Sequence, residues 1–422
     1  NRLTQQVLCP YPLAMESQSY QLLRNWNFLL FVAGRSANTL AVHGLTVAIG
    51  WHVYKLTSDP LDLGLVGLAQ FAPAFVFFLA AGMAADRFER RSILAICAAA
   101  HFIVTLALFW AVTNALSVNL IFLLLALHGT ARSFYHTASQ AVLPNLVTKE
   151  QFPNAIAWSS SANKAGQLLG PAAAGGLIAW IGDSVYWPIL AMFALAGFAA
   201  AALPKTKNKR IGKTGNLSEI MGGFVYVWRE KIVLGAITID LLAVMLGGVM
   251  GLLPIYAADI LHVGPEGLGI MRAMPGVGSL VVGIGLAQLA APRHMGPLMF
   301  ISLFTFGISI VVFSISTAFW LSLAALALYG GADMISVYVR QTLTQIATPD
   351  YMRGRVSAVN SISINASNEL GDFRAGITAA AIGTIPAVLV GGIAVCGITL
   401  LWAYLFPEIR RVDRLRDVQP KL

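Results

Sequence analysis

Long apolar stretches alternate with short polar connections along almost the whole chain. Twelve of these stretches reach about 20 residues, the length that an α-helix needs to cross the roughly 30 Å hydrocarbon core of a bilayer. Their approximate bounds are 27–54, 62–85, 92–113, 117–138, 156–180, 185–203, 232–257, 267–290, 296–314, 318–340, 357–382 and 385–406. The pattern predicts an all-α membrane protein with twelve transmembrane helices.

Composition agrees, because 57% of the residues are hydrophobic and only 11% are charged, against roughly 25% charged in a soluble domain. Lys and Arg concentrate in every second connection, and the positive-inside rule then places both termini in the cytoplasm. The inside segments hold Arg87, Arg90, Arg91, Lys149, Lys205, Lys207, Lys209, Arg210, Lys213, Arg293, Arg353, Arg355, Arg410, Arg411, Arg414 and Arg416. The net charge of +9 thus reflects orientation and attraction to anionic lipids; nucleic-acid binding is not expected.

The three cysteines, Cys9, Cys97 and Cys396, are far apart in sequence. They predict neither a disulfide framework nor a metal site. The first 25 residues are mixed and polar, so we expect no cleavable signal there.

Residues of the first six spans recur about 200 positions later in the second six. Gly67, Pro73 and Arg91 recur as Gly269, Pro275 and Arg293, and Gly129, Ala131 and Gln140 recur as Gly330, Ala332 and Gln341. Six spans per unit place both copies the same way up in the membrane. We therefore predict an N-terminal segment (1–24), a first six-helix bundle (25–204), a cytoplasmic connector suited to an amphipathic helix (205–231), a second six-helix bundle (232–407) and a basic tail (408–422).

The connection after the second span combines an acid with several bases. It reads Gly82-Met-Ala-Ala-Asp86-Arg87-Phe-Glu89-Arg90-Arg91 and resembles the loop motif of the major facilitator superfamily, except that Glu89 stands where the family usually has Gly. Such charges can pair with the other half and latch one conformation, the interpretation favoured for Asp86 and Arg87. Arg90 and Arg91 can equally well just anchor the span inside.

The fifth span carries small residues and a proline, Gly166-Gln-Leu-Leu-Gly170-Pro171-Ala-Ala-Ala174-Gly175. The string is similar to the family's antiporter motif, with Ala174 in place of a second Gly. Small residues four apart allow close helix contact, and Pro171 removes a backbone hydrogen bond, so the helix can act as a gate. An ordinary tight helix crossing is the alternative.

Two strings in the second half are more specific. Pro349-Asp350-Tyr-Met-Arg353-Gly354-Arg355-Val356 and Ser367-Asn368-Glu369-Leu370-Gly371-Asp372-Phe373 resemble the bacterial branch of drug and siderophore exporters that includes the enterobactin exporter. The resemblance implies the bacterial inner membrane and outward transport.

Ionisable side chains inside apolar spans cost about 2.5 to 3.5 kcal/mol each on insertion scales, so they usually face a cavity or a partner. In the first span Arg35, Thr39, His43 and Thr46 share one helical face. His43 alone would more often be a structural hydrogen-bonding residue, whereas the guanidinium of Arg35 must find an anion or water.

The fourth span has Arg132, Tyr135, His136 and Ser139 on one face, and the repeat places Asp333 of the tenth span opposite Arg132. We hypothesise an ion pair between the halves that substrate or a proton would break. In the alternative, Arg132 only braces the cytoplasmic loop or contacts Asp86.

Polar stripes also mark the fifth and eleventh spans, which are repeat mates and are expected to meet across the centre. The members are Ser160, Lys164 and Gln167 on one, and Ser361, Asn365, Asn368, Glu369 and Asp372 on the other. Arg374 can neutralise one of these carboxylates. Asp240 stands alone in the seventh span as a candidate proton carrier, unless it pairs with Arg35 or Lys164.

Motifs of hydrolases, phosphate-binding loops and metal-binding His pairs are absent from the sequence. No enzyme, cofactor or metal is therefore predicted, and energy would come from an ion gradient. We predict a monomeric secondary transporter that exports an amphipathic, drug-like or siderophore-like small molecule against protons by alternating access. The proton sites would be Asp240, Asp333, Glu369 and Asp372, while Arg35, Arg132, His136 and Lys164 would contact anionic substrate or those acids. Alternatives are a lipid or metal-ion carrier of the same fold and a receptor or scaffold without transport.

Overall fold

The computed structural model describes residues 22, 24–205, 217–288 and 294–412. The predicted N-terminal segment, the basic residues 207–213 of the connector, Arg293 and most of the basic tail lie outside these residues. Every regular element within them is helical.

The helices coincide with the apolar stretches of the sequence. We number them α1 (Trp26–Thr57), α2 (Pro60–Val76), α3 (Phe78–Arg87), α4 (Arg90–Thr113), α5 (Val118–Val142), α6 (Phe152–Ile181), α7 (Tyr186–Ala202), α8 (Leu217–Arg229), α9 (Lys231–Leu246), α10 (Gly264–Gln288), α11 (Met295–Ile315), α12 (Phe319–Ala347), α13 (Arg353–Ile382), α14 (Thr384–Leu405) and α15 (Pro407–Arg410). A helix lies over each of the twelve predicted spans.

Fewer of these helices are both long enough and apolar enough to count as membrane spans by these two criteria alone. Eight stretches of the described residues pass both criteria, and the pair Pro60–Val76 and Ala80–Arg87 makes a ninth, bent by 54°. Helices α1 and α13, of 32 and 30 residues, are long enough but are not among them. Both carry the polar stripes noted above, so their apolarity is interrupted where the sequence predicts chemistry.

Two of the spans were predicted to be continuous helices, and for these two the prediction is wrong. The second breaks at Phe77, four residues after Pro73, which cannot donate a helical hydrogen bond. The seventh ends as α9 at Leu246 and resumes as a segment, residues 250–260, made of a 3-10 turn, a short α-helical turn and a π-helical turn.

The helices pack in the same pattern before and after α8. In the first half, residues 26–202, α1 packs on α6 and α7, α4 on α5 and α7, and α2 on α5. In the second half, residues 231–405, the repeat mates do the same: α9 on α13 and α14, α11 on α12 and α14, and α10 on α12. The two largest interfaces between the described parts of the halves, α6 with α10 and α2 with α13, are also repeat-related.

Repeat-related glycines make two of these crossings possible. The backbone carbonyl of Gln70 on α2 occupies the place where a Cβ of Gly129 on α5 would lie, and the carbonyl of Pro275 does the same at Gly330 of α12. Only a glycine permits backbones this close, which explains why these residues recur at the same offset.

Helix α8 marks one end of the molecule, which we call the connector end. The hydroxyl of Tyr226 donates to the carbonyl of Ala347 at 2.8 Å, and Gly223 packs on the backbone of Arg355. Phe224 and Trp228 stay exposed, as expected for an amphipathic helix at a membrane surface. The opposite end, which we call the distal end, holds the connections near residues 58, 183, 262 and 383.

Candidate transport pathway

The two halves contact each other closely toward the distal end. A Cβ on Gly175 of α6 would lie 2.6 Å from Cα of Gly269 on α10, and a Cβ on Gly376 of α13 would lie 2.8 Å from Cα of Gly64 on α2. The hydroxyl of Tyr54 at the end of α1 donates to the carboxylate of Asp259 in the other half. Together these contacts form what we call the distal gate.

The small-residue motif of α6 serves both sides of that helix. Gly166 and Gly170 pack on α1, next to Thr39 and His43, whereas the carbonyl of Pro171 and the backbone of Gly175 pack on Gly269. The helix therefore joins the first half internally and closes it on the second half. The contact with Gly269 agrees with a gate helix, and the packing on α1 is the tight helix crossing that was the alternative.

The polar stripes of α6 and α13 do not pack on each other, contrary to the expectation that they meet. Across the halves, α6 packs on α10 and α13 packs on α2, and both stripes include exposed residues. Lys164 is exposed and donates to Gln167 at 3.2 Å, while Asn365 is exposed and bonds only the carbonyl of Ser361 of its own helix.

The stripe of α1 faces α6. The Arg35 guanidinium donates to the hydroxyl of Ser159 at 2.9 Å, and the Thr39 hydroxyl donates to the amide oxygen of Asn163 at 2.6 Å. Arg35 thus meets a neutral hydroxyl, so its proposed pairing with Asp240 is wrong. His43 lies within the electrostatic influence of three positive charges, those of Arg132, Arg272 and Lys164.

An ion pair does join the halves in the middle of the bundle, but its acid differs from the predicted one. Arg132 Nη1 lies 3.9 Å from Oε1 of Glu369 on α13, and their side chains are 42% and 25% exposed. Gly67 of α2 leaves room for this carboxylate, since a Cβ there would lie 3.3 Å from Glu369 Oε2. The pairing of Arg132 with Asp333 is therefore corrected to Glu369. His136, one turn beyond Arg132, is exposed and lies 3.2 Å from Gln140.

Asp240 is not solitary. It forms a salt bridge with Arg340 of α12, and both side chains are almost completely buried, at 4% and 2% exposure. The charges of this pair act on Asp333, which lies two turns before Arg340 on the same helix. Arg340 was not among the residues predicted from the sequence, although its spacing of seven from Asp333 places both on one helical face.

Asp372 and two arginines surround the break of the seventh span. The Asp372 carboxyl group packs on Gly251, where a Cβ would lie 3.2 Å from its carboxyl carbon, and Arg272 donates to the carbonyl of Met250 at 3.1 Å. Arg374 donates to the carbonyls of Met245 and Leu246 at 3.0 and 2.6 Å. Arg374 was expected only as a counter-ion of a carboxylate, and it also binds these two backbone carbonyls. Arg272 was missed, although a single arginine inside the eighth apolar span is a signal by its insertion cost.

For two arginines of the loop after the second span, the contacts agree with one of the two alternatives left open by the sequence. Arg90 is buried and donates to the carbonyls of Ala85 and Ala141 at 3.3 and 3.0 Å. Arg91 donates to the carbonyls of Ala201 and Leu203. Both contacts stay inside the first half, so the anchoring interpretation holds for this conformation. Gly82 has space for a Cβ, and Asp86 and Arg87 are exposed at the connector end.

A lateral groove of about 900 Å³ lies elsewhere, between α3, α4 and α5. Its walls are mostly apolar, with Ile96, Ile103 and Leu127 exposed toward the surroundings. None of the ionisable candidates of the central spans lines it. The groove is therefore a feature of the lateral face and not of the central pathway.

The sequence and the fold were compared with those of known proteins, and the matches are to proteins of one kind, membrane transporters. The sequence profile of the Major Facilitator Superfamily matches residues 29–371. The enterobactin exporter EntS of Citrobacter koseri is 26% identical over 375 residues, which are 87% of this chain and 88% of that protein.

Solved structures share the fold. A bacterial homologue of the human lysosomal transporter Spinster, inward-facing and occupied, matches with a TM-score of 0.71 at 12% identity over 95% of this chain and 99% of that one. A bacterial homologue of the iron transporter ferroportin, inward-facing, matches with a TM-score of 0.70 at 16% identity over 92% and 99%.

These matches confirm the resemblance that the loop and helix motifs predicted. Together with the long apolar helices, they confirm a multi-pass protein of the bacterial inner membrane. The relatives and structural neighbours are transporters.

Proposed function

Because the chain belongs to the major facilitator superfamily, we propose that it is a secondary transporter that exports an amphipathic, siderophore-like anion in exchange for protons. The relative named above is an enterobactin exporter, which supports this direction and cargo class. Twelve transmembrane helices, cytoplasmic termini and alternating access of the two halves complete the proposal.

The contact between Arg132 and Glu369 carries the proposal. It joins the halves in the middle of the bundle, and both partners remain accessible. An anionic cargo would compete with Glu369 for the Arg132 guanidinium, and a proton would compete with Arg132 for the Glu369 carboxylate. Cargo and proton therefore act on the same ion pair, so the binding of one is coupled to the binding of the other.

Charge supports an anionic cargo. The accessible side of the first half presents Lys164 and Arg132, with Arg35 behind them on α1. The facing side of α13 presents the neutral groups of Ser361, Asn365 and Asn368 before its acids. A ligand with negatively charged oxygens and a less polar body would match both walls.

The closed distal gate and the accessible polar stripes fit one state of an alternating-access cycle. With the connector end in the cytoplasm, this state receives cargo from the cytoplasm. Release would then require the Tyr54 to Asp259 contact to open.

Reconstituted vesicles test the proposal. Liposomes that contain the purified protein would be loaded with catecholate siderophores, hydroxamate siderophores or cationic dyes. Transport of each compound and the internal pH would be followed with and without a proton gradient. We expect transport of anionic catecholates with opposite proton movement, and loss of this coupling in Glu369→Gln. Glu408→Gln alters an exposed carboxylate at the connector end and serves as the control. Cargo transport without any cargo-dependent pH change would refute the exchange.

The lateral groove favours a second candidate, a lipid carrier, because an apolar groove open to the bilayer suits an acyl chain. Filling it with Ala100→Trp should stop fluorescent phospholipid transfer by a lipid carrier. The same substitution should leave siderophore export nearly unchanged if the central pathway carries the cargo.

A further inference from the structure

One side of the connector helix α8 is fixed to the second half of the bundle. Gly223 and Val227 lie four residues apart, so they share a helical face, and both are buried. Beside them, the hydroxyl of Tyr226 donates to the carbonyl of Ala347 at 2.8 Å. Helix α8 packs on α13 and α9. It therefore has a defined inner side and a defined outer side.

The outer side of α8 carries an apolar stripe, which we call the α8 stripe. Its members are Met221, Phe224, Val225 and Trp228, which follow the helical spacing i, i+3, i+4 and i+7. Their exposed fractions are 54, 43, 49 and 77%. A row of large exposed apolar side chains on one helix face marks an interaction surface, because water solvates such a row poorly.

Two adjacent glycines bring the start of α13 onto α8. A Cβ on Gly223 would lie 2.9 Å from the carbonyl oxygen of Arg355, and a Cβ on Gly222 would lie 3.4 Å from Arg355 Nη1. Glycines inside a helix weaken it, and here they permit a crossing that larger residues would block. The guanidinium of Arg355 therefore lies against the flank of α8 at the level of Gly222.

Arg229 lies on the same flank of α8. It follows Gly222 by seven residues, so both positions share one side of the helix, about 10 Å apart along its axis. Both arginines are exposed, and neither forms an ion pair within the described residues. Arg355 Nη1 contacts the neutral sulfur of Met352 at 3.8 Å. Two unpaired guanidinium groups thus border the α8 stripe.

We propose that the α8 stripe and this flank bind an anionic phospholipid. The phosphate accepts charge-assisted hydrogen bonds from Arg229 and Arg355, and the acyl chains cover the α8 stripe. Charge and apolarity together select this occupant, because a free phosphate leaves the stripe uncovered and a zwitterionic lipid brings no net negative charge. With the connector end in the cytoplasm, the lipid belongs to the inner leaflet, where anionic headgroups attract basic residues.

The bound lipid fastens the corner between α12 and α13. Tyr226 holds the end of α12 through Ala347, and Arg355 belongs to the first turn of α13. A lipid on Arg229 and Arg355 therefore joins α8 to this corner by a second contact. The inference goes beyond the proposed function, because it depends on neither the cargo nor the coupling ion.

Lipid binding to the detergent-solubilised protein tests the inference. Native mass spectrometry would compare adducts of phosphatidylglycerol with adducts of phosphatidylcholine that has the same acyl chains. We expect the wild type to prefer phosphatidylglycerol. Arg229→Gln and Arg355→Gln should each weaken phosphatidylglycerol binding about fivefold, which corresponds to about 1 kcal/mol, the size expected for one basic residue at an anionic surface. Binding of phosphatidylcholine should stay unchanged.

Conservative and neighbouring variants serve as controls. Arg229→Lys and Arg355→Lys keep the positive charge and should retain most of the preference. Arg353→Gln removes an exposed arginine two residues before Arg355, which pairs with Asp350 at 2.8 Å, and should bind both lipids as the wild type does. Size-exclusion profiles and circular dichroism identify any variant that fails to fold.

The location of the α8 stripe gives an independent measurement. A spin label at Val225→Cys, in protein lacking its native cysteines, would be studied in phosphatidylcholine nanodiscs with and without phosphatidylglycerol. With phosphatidylglycerol, we expect the label to collide more often with oxygen, which concentrates in lipid, than with a water-soluble nickel chelate. A label at Glu150→Cys, in an exposed connection at the connector end, should stay accessible to the chelate in both kinds of nanodisc.

Three results would overturn the inference. The first is equal binding of the two lipids by the wild type, or an equal loss in Arg353→Gln and Arg355→Gln. The second is a label at residue 225 that collides mainly with the nickel chelate in phosphatidylglycerol nanodiscs, since the stripe would then serve a partner other than lipid. The third is displacement of phosphatidylglycerol by an equal concentration of inorganic phosphate, which would assign the arginines to a free anion.

Discussion

Asp240 and Arg340 form a buried ion pair between α9 and α12, inside the second half of the bundle. Within the described residues, Arg340 Nε makes no hydrogen bond and Nη1 contacts the Asp240 carboxylate, so Asp240 is the main compensation for this buried charge. Because an uncompensated charge in an apolar interior is costly, the pair ties the two helices firmly together.

Breaking this pair should destabilise the protein. We expect Asp240→Asn to lower the stability by about 3 to 5 kcal/mol, because it leaves the Arg340 charge buried and unpaired. The midpoint of thermal unfolding in detergent measures the effect. The double variant Asp240→Asn/Arg340→Gln removes both charges and should regain much of the loss; a double variant as unstable as the single one would show that the charge itself is not the cause.

The inter-half contact should matter for transport and little for stability. Arg132 and Glu369 are partly exposed at 3.9 Å, so Arg132→Gln should cost at most about 1 kcal/mol of stability. Uptake into inverted vesicles should show a clearly raised KM for anionic cargo. Arg353→Gln, which breaks an exposed pair with Asp350, is the matched control, and equal effects of both substitutions on KM would contradict a specific role of Arg132.

Two adjacent glycines of α6 offer a direct test of the distal interface. Gly175→Ala would place a Cβ against the backbone of Gly269, whereas Gly176→Ala meets nothing within 4 Å. We expect Gly175→Ala to cost about 1 to 3 kcal/mol by overpacking and to reduce export by keeping the halves apart at this end. Gly176→Ala should leave both thermal stability and export unchanged, and a similar loss in both variants would argue against the contact.

The arginines of the loop after α3 should separate into two roles. Arg90→Ala removes hydrogen bonds to two carbonyls in a buried site, so we expect a loss of about 3 to 6 kcal/mol, from about 1.5 to 3 kcal/mol for each bond to a charged group. Arg87→Ala alters an exposed side chain and should leave the unfolding midpoint unchanged. If Arg87 acts as a latch with the other half, this variant should still change the export rate; normal export by Arg87→Ala would remove the latch interpretation.

Sequence pattern alone located the helices and their relationship. The spacing of apolar residues is local information, and the requirement to satisfy every backbone group in lipid leaves the helix as the only regular solution here. The recurrence of Gly129 as Gly330 and of Gly67 as Gly269 reflects crossings that are equivalent in the two halves. Even so, the sequence predicted a continuous seventh span, since the residues of its break are as apolar as the helices beside it.

Which charges meet was decided only by the tertiary structure. Arg132 selects Glu369 and not Asp333, and Asp240 selects Arg340 and not Arg35, because partners about 100 to 240 positions apart are set by how helices rotate and cross. One-dimensional spacing shows which residues share a face but not which face another helix presents. The sequence therefore determined that twelve apolar stretches are interrupted by costly charges, and packing determined that those charges join the halves and brace a broken helix.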